Sequence, residues 1–357
     1  MSLDFFGAGE YPYKTIMQSA TCESICYNLK ELGYRCHAIH NHSGTFYDRN
    51  KVYPNLGFDA YTSLEYMDNV ELNPTGWAKD GVLAAEIMKV LQSTEKKDFI
   101  YAISVQAHGK YPHKVVDEEQ KIAVSGIEDE EDRIAFEYYV NQLSETDAFV
   151  GSLVAALSNY DEPVLVVIFG DHLPNFETSE DDVETGNIYQ TEYVVWSNYD
   201  NNGFEKARRD LYSYQLGAYV MGRLDMETGL LTKLHQRYSS DPEYQEYLEL
   251  LEYDMLYGDL YAYGGQCPYE PADMKMGTED IELNGACVIG DCLYVSGGGF
   301  TKWSKVCIDG EEMDTVYVDK TILKVESAEL EPGSVITVAQ VGKNGEALSR
   351  TEEYMFK

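Results

Sequence analysis

Four short apolar runs, Tyr34 to His40, Phe99 to Val105, Val164 to Phe169 and Tyr193 to Trp196, are separated by stretches of helical spacing across residues 1 to about 258. This alternation restricts the chain to α/β architecture with a mostly parallel sheet flanked by helices, because parallel neighbours need a crossover between them. The first three runs are rich enough in β-branched or aromatic residues to be central strands. Helices are predicted over Thr21 to Leu32, stopped by Gly33, and over Gly81 to Leu91, Asp132 to Leu157, Glu205 to Arg223 and Pro242 to Asp254. The acidic run Glu128 to Asp132 falls where a helix start favours carboxylates, which is a simpler reading than a calcium loop.

The pattern changes near Asp259. Residues 259–277, with Gly264-Gly265, Pro268 and Pro271, have linker chemistry. Residues 278–357 lose helical periodicity, and short β-rich runs alternate there with Gly, Asp and Asn turns: Ala286 to Ile289, Cys292 to Val295, Ser304 to Ile308, Thr315 to Val318, Ile322 to Val325 and Val335 to Gln340. A small all-β sandwich is expected there, after an α/β domain over residues 1–258.

Charge narrows the choice of partners. The 62 acidic side chains outnumber the 27 Lys and Arg, giving a formal charge of -35. The excess is spread evenly, at about one negative charge per ten residues on both sides of the predicted linker. No basic stretch offsets it, so nucleic acid is excluded as a partner. The longest strongly apolar run, Val164 to Phe169, is far short of the roughly 20 residues that span a bilayer. No signal peptide is visible, and Met1-Ser2-Leu3 reads as an appended start, so a longer natural chain is expected. The seven cysteines lack C-x-x-C spacing and do not form a zinc framework. Cys267, Cys287, Cys292 and Cys307 are read as buried free thiols, with one or two disulfides as the alternative in an oxidising compartment.

Six of the seven histidines fall in three segments at or just beyond predicted strand ends, the edge of an open α/β sheet where ligands bind. These are Cys36 to Arg49, Ile103 to His113, and Val167 to Pro174. In the third, a buried strand delivers Gly170 and then Asp171-His172, an oxygen and nitrogen donor pair suited to a divalent transition metal, or else a turn aspartate beside a surface histidine. In the first, His40 and Arg49 offer an imidazole and a guanidinium fork that matches phosphate or sulfate; the simpler reading of Arg49 is a salt bridge to one of the many acids. His108, in the second, could donate to an anionic oxygen or a leaving group, although a lone histidine after a strand is more often structural.

Gly170-Asp171-His172-Leu173-Pro174 after an apolar strand, the loop His40 to Arg49 followed by Tyr53 and Gly57-Phe58-Asp59, and Val105-Gln106-Ala107-His108 together resemble the extracellular catalytic domain of the lipoteichoic acid synthase family. Those are phosphoglycerol transferases of the sulfatase-like alkaline phosphatase superfamily, and the likeness runs in order over residues 13 to 255. It implies that Asp171 and His172 ligate one divalent ion, Mn2+ before Mg2+ or Zn2+. It also implies that His40, Tyr47, Arg49 and His108 line a phosphoglycerol head-group pocket, with Arg49 and His108 also catalytic. Tyr47 stands where the family often has tryptophan. The family's glutamate ligand and threonine nucleophile precede the matched part, and Thr21 and Glu23 lie a segment too late to replace them.

The resemblance implies a two-step transfer. A metal-activated threonine attacks a phosphatidylglycerol-type phosphodiester, and a second hydroxyl displaces the glycerophosphoryl ester. The expected setting is the extracellular face of a bacterial membrane, anchored by upstream helices, in synthesis of an envelope polymer. The expected substrate is an anionic lipid head group or a glycerophosphate polymer. The isolated chain is expected to bind metal weakly and to be inactive. Alternatives are a sulfatase, a phosphoethanolamine transferase, or a catalytically dead wall-binding scaffold. Residues 278–357 resemble the IPT/TIG type of immunoglobulin-like domain through Val295 to Phe300, Ser304 to Gly310 and Glu331 to Gln340. For that domain a spacer role is the simple expectation, and its partner is left open.

Overall fold

A computed structural model describes residues 12–116, 120–200, 209–326 and 330–357. In chain order the elements are α1 (Ile25–Glu31), β1 (Tyr34–His40), α2 (Arg49–Asn55), β2 (Ala60–Ser63), α3 (Gly81–Gln92), β3 (Lys97–Ile103), α4 (Glu130–Ser158), β4 (Leu165–Phe169), β5 (Tyr193–Ser197), α5 (Leu216–Arg223), α6 (Leu230–Tyr238), α7 (Tyr244–Leu256) and β6 (Lys275–Met276). The C-terminal strands follow: β7 (Glu282–Ile289), β8 (Cys292–Gly298), β9 (Ser304–Ile308), β10 (Glu311–Glu312), β11 (Thr315–Asp319), β12 (Ile322–Glu326), β13 (Val335–Val341), β14 (Ala347–Arg350) and β15 (Tyr354–Met355). Two compact units result, one from Met1–Asn69, Glu86–Ile103 and Leu211–Lys357, the other from Val70–Ala85 and Ser104–Asp210.

In the first unit, β3, β1, β2 and β6 form a parallel sheet in that order. β1 is buried from Cys36 through His40 because it has a strand on each side and side chains packed on both faces. Its core partners include Cys26, Leu29, Val52, Tyr53, Phe58 and Tyr61. α1 starts at Ser24, whose hydroxyl accepts from the Tyr27 amide at 3.3 Å, and ends before Gly33 as expected. β6 lies within the stretch read as a linker, and there it adds a strand beside β2. β7 to β15 form the expected sandwich: one antiparallel sheet ordered β10-β9-β13-β14 with β15 also on β13, the other ordered β11-β12-β8-β7. Its core is built from alternate residues such as Leu293, Val295, Val306, Leu323, Ile336 and Val338.

In the second unit, α4 is capped by Asp129, which accepts from the Glu131 and Asp132 amides, so the acidic run is a helix start as read from the sequence. One expectation fails here. β4 is not a central parallel strand: it pairs antiparallel with β5 in a two-stranded sheet, and Phe169 is exposed. A continuous apolar run reports coverage of a strand's faces and says nothing about the direction of its neighbour. Helices α2 and α6 lie outside the expected helices; α2 is short and carries Pro54, whereas α6 is amphipathic, burying Leu231, Leu234 and His235. Residues 205–208 of the predicted Glu205 to Arg223 helix lie outside the described residues, and the described helix starts at Leu216. All seven cysteines are free thiols, and Cys287 is exposed.

His37, in the middle of β1, is core and does not belong to the cationic cluster. Its Nε2 lies 2.8 Å from the Thr62 hydroxyl, and burial, aided by Arg35 and Lys275, drives its pKa down to about 3. The unfolded chain therefore takes a proton near pH 6.5 that the folded chain refuses until about pH 3, and stability falls as pH drops through that window. Between pH 7 and 5 this site accounts for roughly 2 kcal/mol. Urea unfolding of His37→Leu should show a pH dependence flatter by about that amount. An unchanged slope would show that His37 is protonated in the folded state.

Candidate functional site

The Cys36 to Arg49 segment leaves the buried end of β1 and turns back into α2. His40 is held at the sheet edge by Nδ1 2.9 Å from the Ile103 carbonyl, which must accept, so Nδ1 carries the proton. Tyr47 and Asp48 both have left-handed backbones, at φ 55° and 52°, unusual for two successive non-glycine residues. The turn leaves Phe46 and Tyr47 about half exposed, at 41% and 48%, and puts Arg49 at the first position of α2.

Arg49 is 9% exposed. Among the described residues it makes no ion pair, and its Nε makes no hydrogen bond; Nη1 lies 3.5 Å from the Phe46 carbonyl, and the Tyr13 hydroxyl is a further polar neighbour. The guanidinium lies 5.5 Å from the ring centres of both Phe46 and Tyr47. Nearby phenols cannot neutralise it, since burial pushes Tyr13 up to about 12 and holds Tyr53 and Tyr61 well above their ordinary range despite the cation. The salt bridge that 62 acids make the simplest expectation is absent among the described residues. A buried, uncompensated cation is costly, and an anionic ligand would relieve that cost.

The other two segments lie in the second unit. His108 and His172 have ring centres 6.2 Å apart, and Trp77 packs edge-on against His108 at 5.2 Å. Each histidine places Nδ1 2.7 Å from a backbone carbonyl, of Gly109 and Leu173 respectively, so each ring is held through its Nδ1–H. Asp171 Oδ1 accepts from the His172 amide at 2.9 Å, and Oδ2 is 3.6 Å from His172 Nε2. Both side chains are open, at 80% and 62% exposure. A protein-held divalent ion needs three or more donors. Among the described residues no third histidine, cysteine, aspartate or glutamate joins this pair, so these residues alone do not form a closed metal centre.

Two buried acids that carry no sequence signal, Asp80 and Glu65, hold these loops. Asp80 accepts from the Val105 and Gln106 amides at 3.0 and 3.2 Å, and Gln106 donates to Gln142 at 3.0 Å, which fixes the strand end before His108. Glu65 accepts from Ser43 Oγ and the Gly44 amide at 2.8 and 3.0 Å, at the base of the Arg49 loop. Asp80 and Glu65 are indistinguishable from surface acids in a chain with so many of them. Thr21 and Glu23 have structural partners: Thr21 donates to the Tyr269 carbonyl at 2.7 Å, and the Glu23 carboxylate accepts from the Leu230 amide at 2.6 Å.

The model of the family described as Sulfatase matches residues 3–226, well over half of the chain. The chain belongs to the sulfatase family. Among curated proteins, this sulfatase-family chain is 27% identical over 255 residues to a putative cyclic beta-1,2-glucan modification protein of Rhizobium meliloti (strain 1021), covering 66% of this chain and 39% of that protein. It is 28% identical over 176 residues to the capsular polysaccharide biosynthesis protein RkpI of the same organism, covering 48% and 30%. The chain thus spans about two fifths or less of these relatives. Among solved structures, the Streptococcus pyogenes phosphoglycerol transferase GacH in complex with sn-glycerol-1-phosphate aligns with a TM-score of 0.58 at 21% identity, over 75% of this chain and 79% of that one. The sulfatase-like α/β fold expected from the sequence is therefore established, as is the family.

Proposed function

We propose that this chain is the phosphoester-handling part of a phosphoglycerol transferase acting in the synthesis or decoration of a cell-envelope polymer. The observation that carries the reading is Arg49, buried with no ion pair among the described residues, in a loop with two successive left-handed residues of a very acidic protein. A guanidinium fork suits a tetrahedral oxyanion, His40 ends the strand from which the same loop leaves, and the half-exposed Phe46 and Tyr47 rings suit the carbon skeleton that an ester carries. Support comes from the sulfatase family, from the fold shared with a glycerol-phosphate-bound transferase, and from relatives named for glucan and capsular polysaccharide work. The membrane's outer face is the proposed setting, since the polymers in those names lie in the envelope; no helix among the described residues is long and apolar enough to cross a membrane.

Asp171 and His172 are proposed as two ligands of a divalent ion, Mn2+ first, with Mg2+ and Zn2+ as alternatives. With two donors, binding should be weak and transfer negligible in this chain alone. Calorimetric titration with Mn2+ should give a dissociation constant of order 0.1 to 1 mM, lost in Asp171→Ala; equal metal binding by both proteins would remove the assignment. The family's name keeps a sulfate ester as the second reading. Titration with sn-glycerol-1-phosphate and with inorganic sulfate separates the two, and tighter sulfate binding would favour a sulfatase.

A further inference from the structure

We propose that the C-terminal sandwich is a positioning element for the Arg49 loop, coupled to it through Glu65 and Gln340, and is more than a spacer. Glu65 sits in one helical turn after β2 and is fully buried. Its two ends do different jobs. The carboxylate accepts from Ser63 Oγ at 2.6 Å and from Ser43 Oγ and the Gly44 amide, pinning the base of the loop. The backbone carbonyl accepts from Thr301 Oγ1 at 2.7 Å and from Gln340 Nε2, both in the sandwich. Gln340 is itself fully buried on β13, and its amide oxygen takes the Ser304 hydroxyl at 2.7 Å, so its NH2 group has to face Glu65.

The turn between β13 and β14 presses on the same loop. A Cβ at Gly342 would lie 3.0 Å from Thr45 Cγ2, and one at Gly44 would lie 3.2 Å from Leu348 Cδ1, so a side chain at either position would push its neighbour by a few tenths of an ångström. Tyr66 Oη and Ser349 Oγ are 2.6 Å apart beside this contact. At the rim, Glu346 accepts from Asn50 Nδ2 at 3.4 Å and faces Lys51 Nζ at 3.7 Å, exposed contacts that add little. Two consecutive left-handed residues persist only where their surroundings over-determine them, and these contacts supply that constraint. A loop so braced holds Arg49 ready for an anion without paying for its ordering at binding.

The functional half of this inference rests on the head-group reading; the structural half does not. Gln340→Glu keeps the shape and sets an oxygen against the Glu65 carbonyl. Hydrogen-exchange mass spectrometry of the whole chain should show amides of residues 43–51 exchanging about tenfold faster or more, with β1 and β12 unchanged. The affinity for sn-glycerol-1-phosphate should fall about tenfold in the same variant. Should Gln340→Glu loosen the sandwich itself, Gly342→Ala, whose Cβ would meet Thr45 Cγ2 at 3.0 Å and Asn344 Oδ1 of its own turn at 3.2 Å, decides by the same two readings. Loop exchange unchanged in a variant whose sandwich stays protected overturns the coupling. Faster loop exchange with unaltered affinity overturns the positioning role. If the native chain does not bind the probe, the head-group reading fails, and the exchange result still decides the coupling.

Discussion

Arg49→Met should abolish the response to sn-glycerol-1-phosphate and leave the free chain at least as stable as the native one. A structural arginine cannot give both results. Were Arg49 held by a hidden ion pair, its removal would strand a buried carboxylate and cost about 3 to 5 kcal/mol. Among the described residues it has no such partner, so methionine removes a desolvated charge and keeps much of the side chain's apolar contact with Phe46 and Tyr47. A gain of about 1 to 3 kcal/mol is expected in denaturant unfolding. The affinity for the phosphoester should fall by about 100-fold or more, the loss expected when a buried charge-assisted pair goes. Calorimetry and urea unfolding of the same two preparations check both halves, and destabilisation by methionine would make Arg49 a structural residue.

Glu23→Ala is expected to cost the most stability of any single change considered, about 3 kcal/mol. The Glu23 carboxylate is buried and takes the amides that open α6, those of Leu230 at 2.6 Å, Leu231 at 3.2 Å and Thr232 at 3.4 Å, together with Asn28 Nδ2 at 3.0 Å. It caps a helix about 200 residues away in sequence, so its loss leaves several buried donors without an acceptor. Gly229 is required for this approach: its φ is +75°, and a Cβ there would lie 2.1 Å from Glu23 Oε1. Gly229→Ala should therefore match Glu23→Ala in denaturant midpoint shift. A shift below about 1 kcal/mol in both would show that water replaces the cap.

Much of the architecture was legible because its signals are local. The β1 run matches its strand residue for residue, and the six sandwich runs each fall within or coincide with a strand, because period-two burial and turn residues act over a few positions. β4 was placed correctly along the chain and wrongly in the sheet, since strand direction depends on a partner that the run itself does not encode. The candidate loops were found from histidines at strand ends, but His37 shows the limit of that clue: two residues from Arg35 and three from His40, it is neutral core. Glu23, Glu65 and Asp80 were invisible for a different reason. A buried acid that caps a distant helix or pins a loop is defined by its acceptor geometry across the fold, and nothing beside it in sequence separates it from the solvated majority. Arg49 was legible as a candidate, and that it makes no ion pair among the described residues could be seen only in three dimensions.

The central claim, that Arg49 is an anion clamp, is tested most directly on its own nitrogen. In 15N NMR of the native chain, one arginine Nε–H signal should be the signal lost in Arg49→Met. That signal alone should shift strongly on titration with sn-glycerol-1-phosphate and stay still with glycerol. No shift of that signal at saturating phosphoester, or an equal shift with glycerol, would contradict the account.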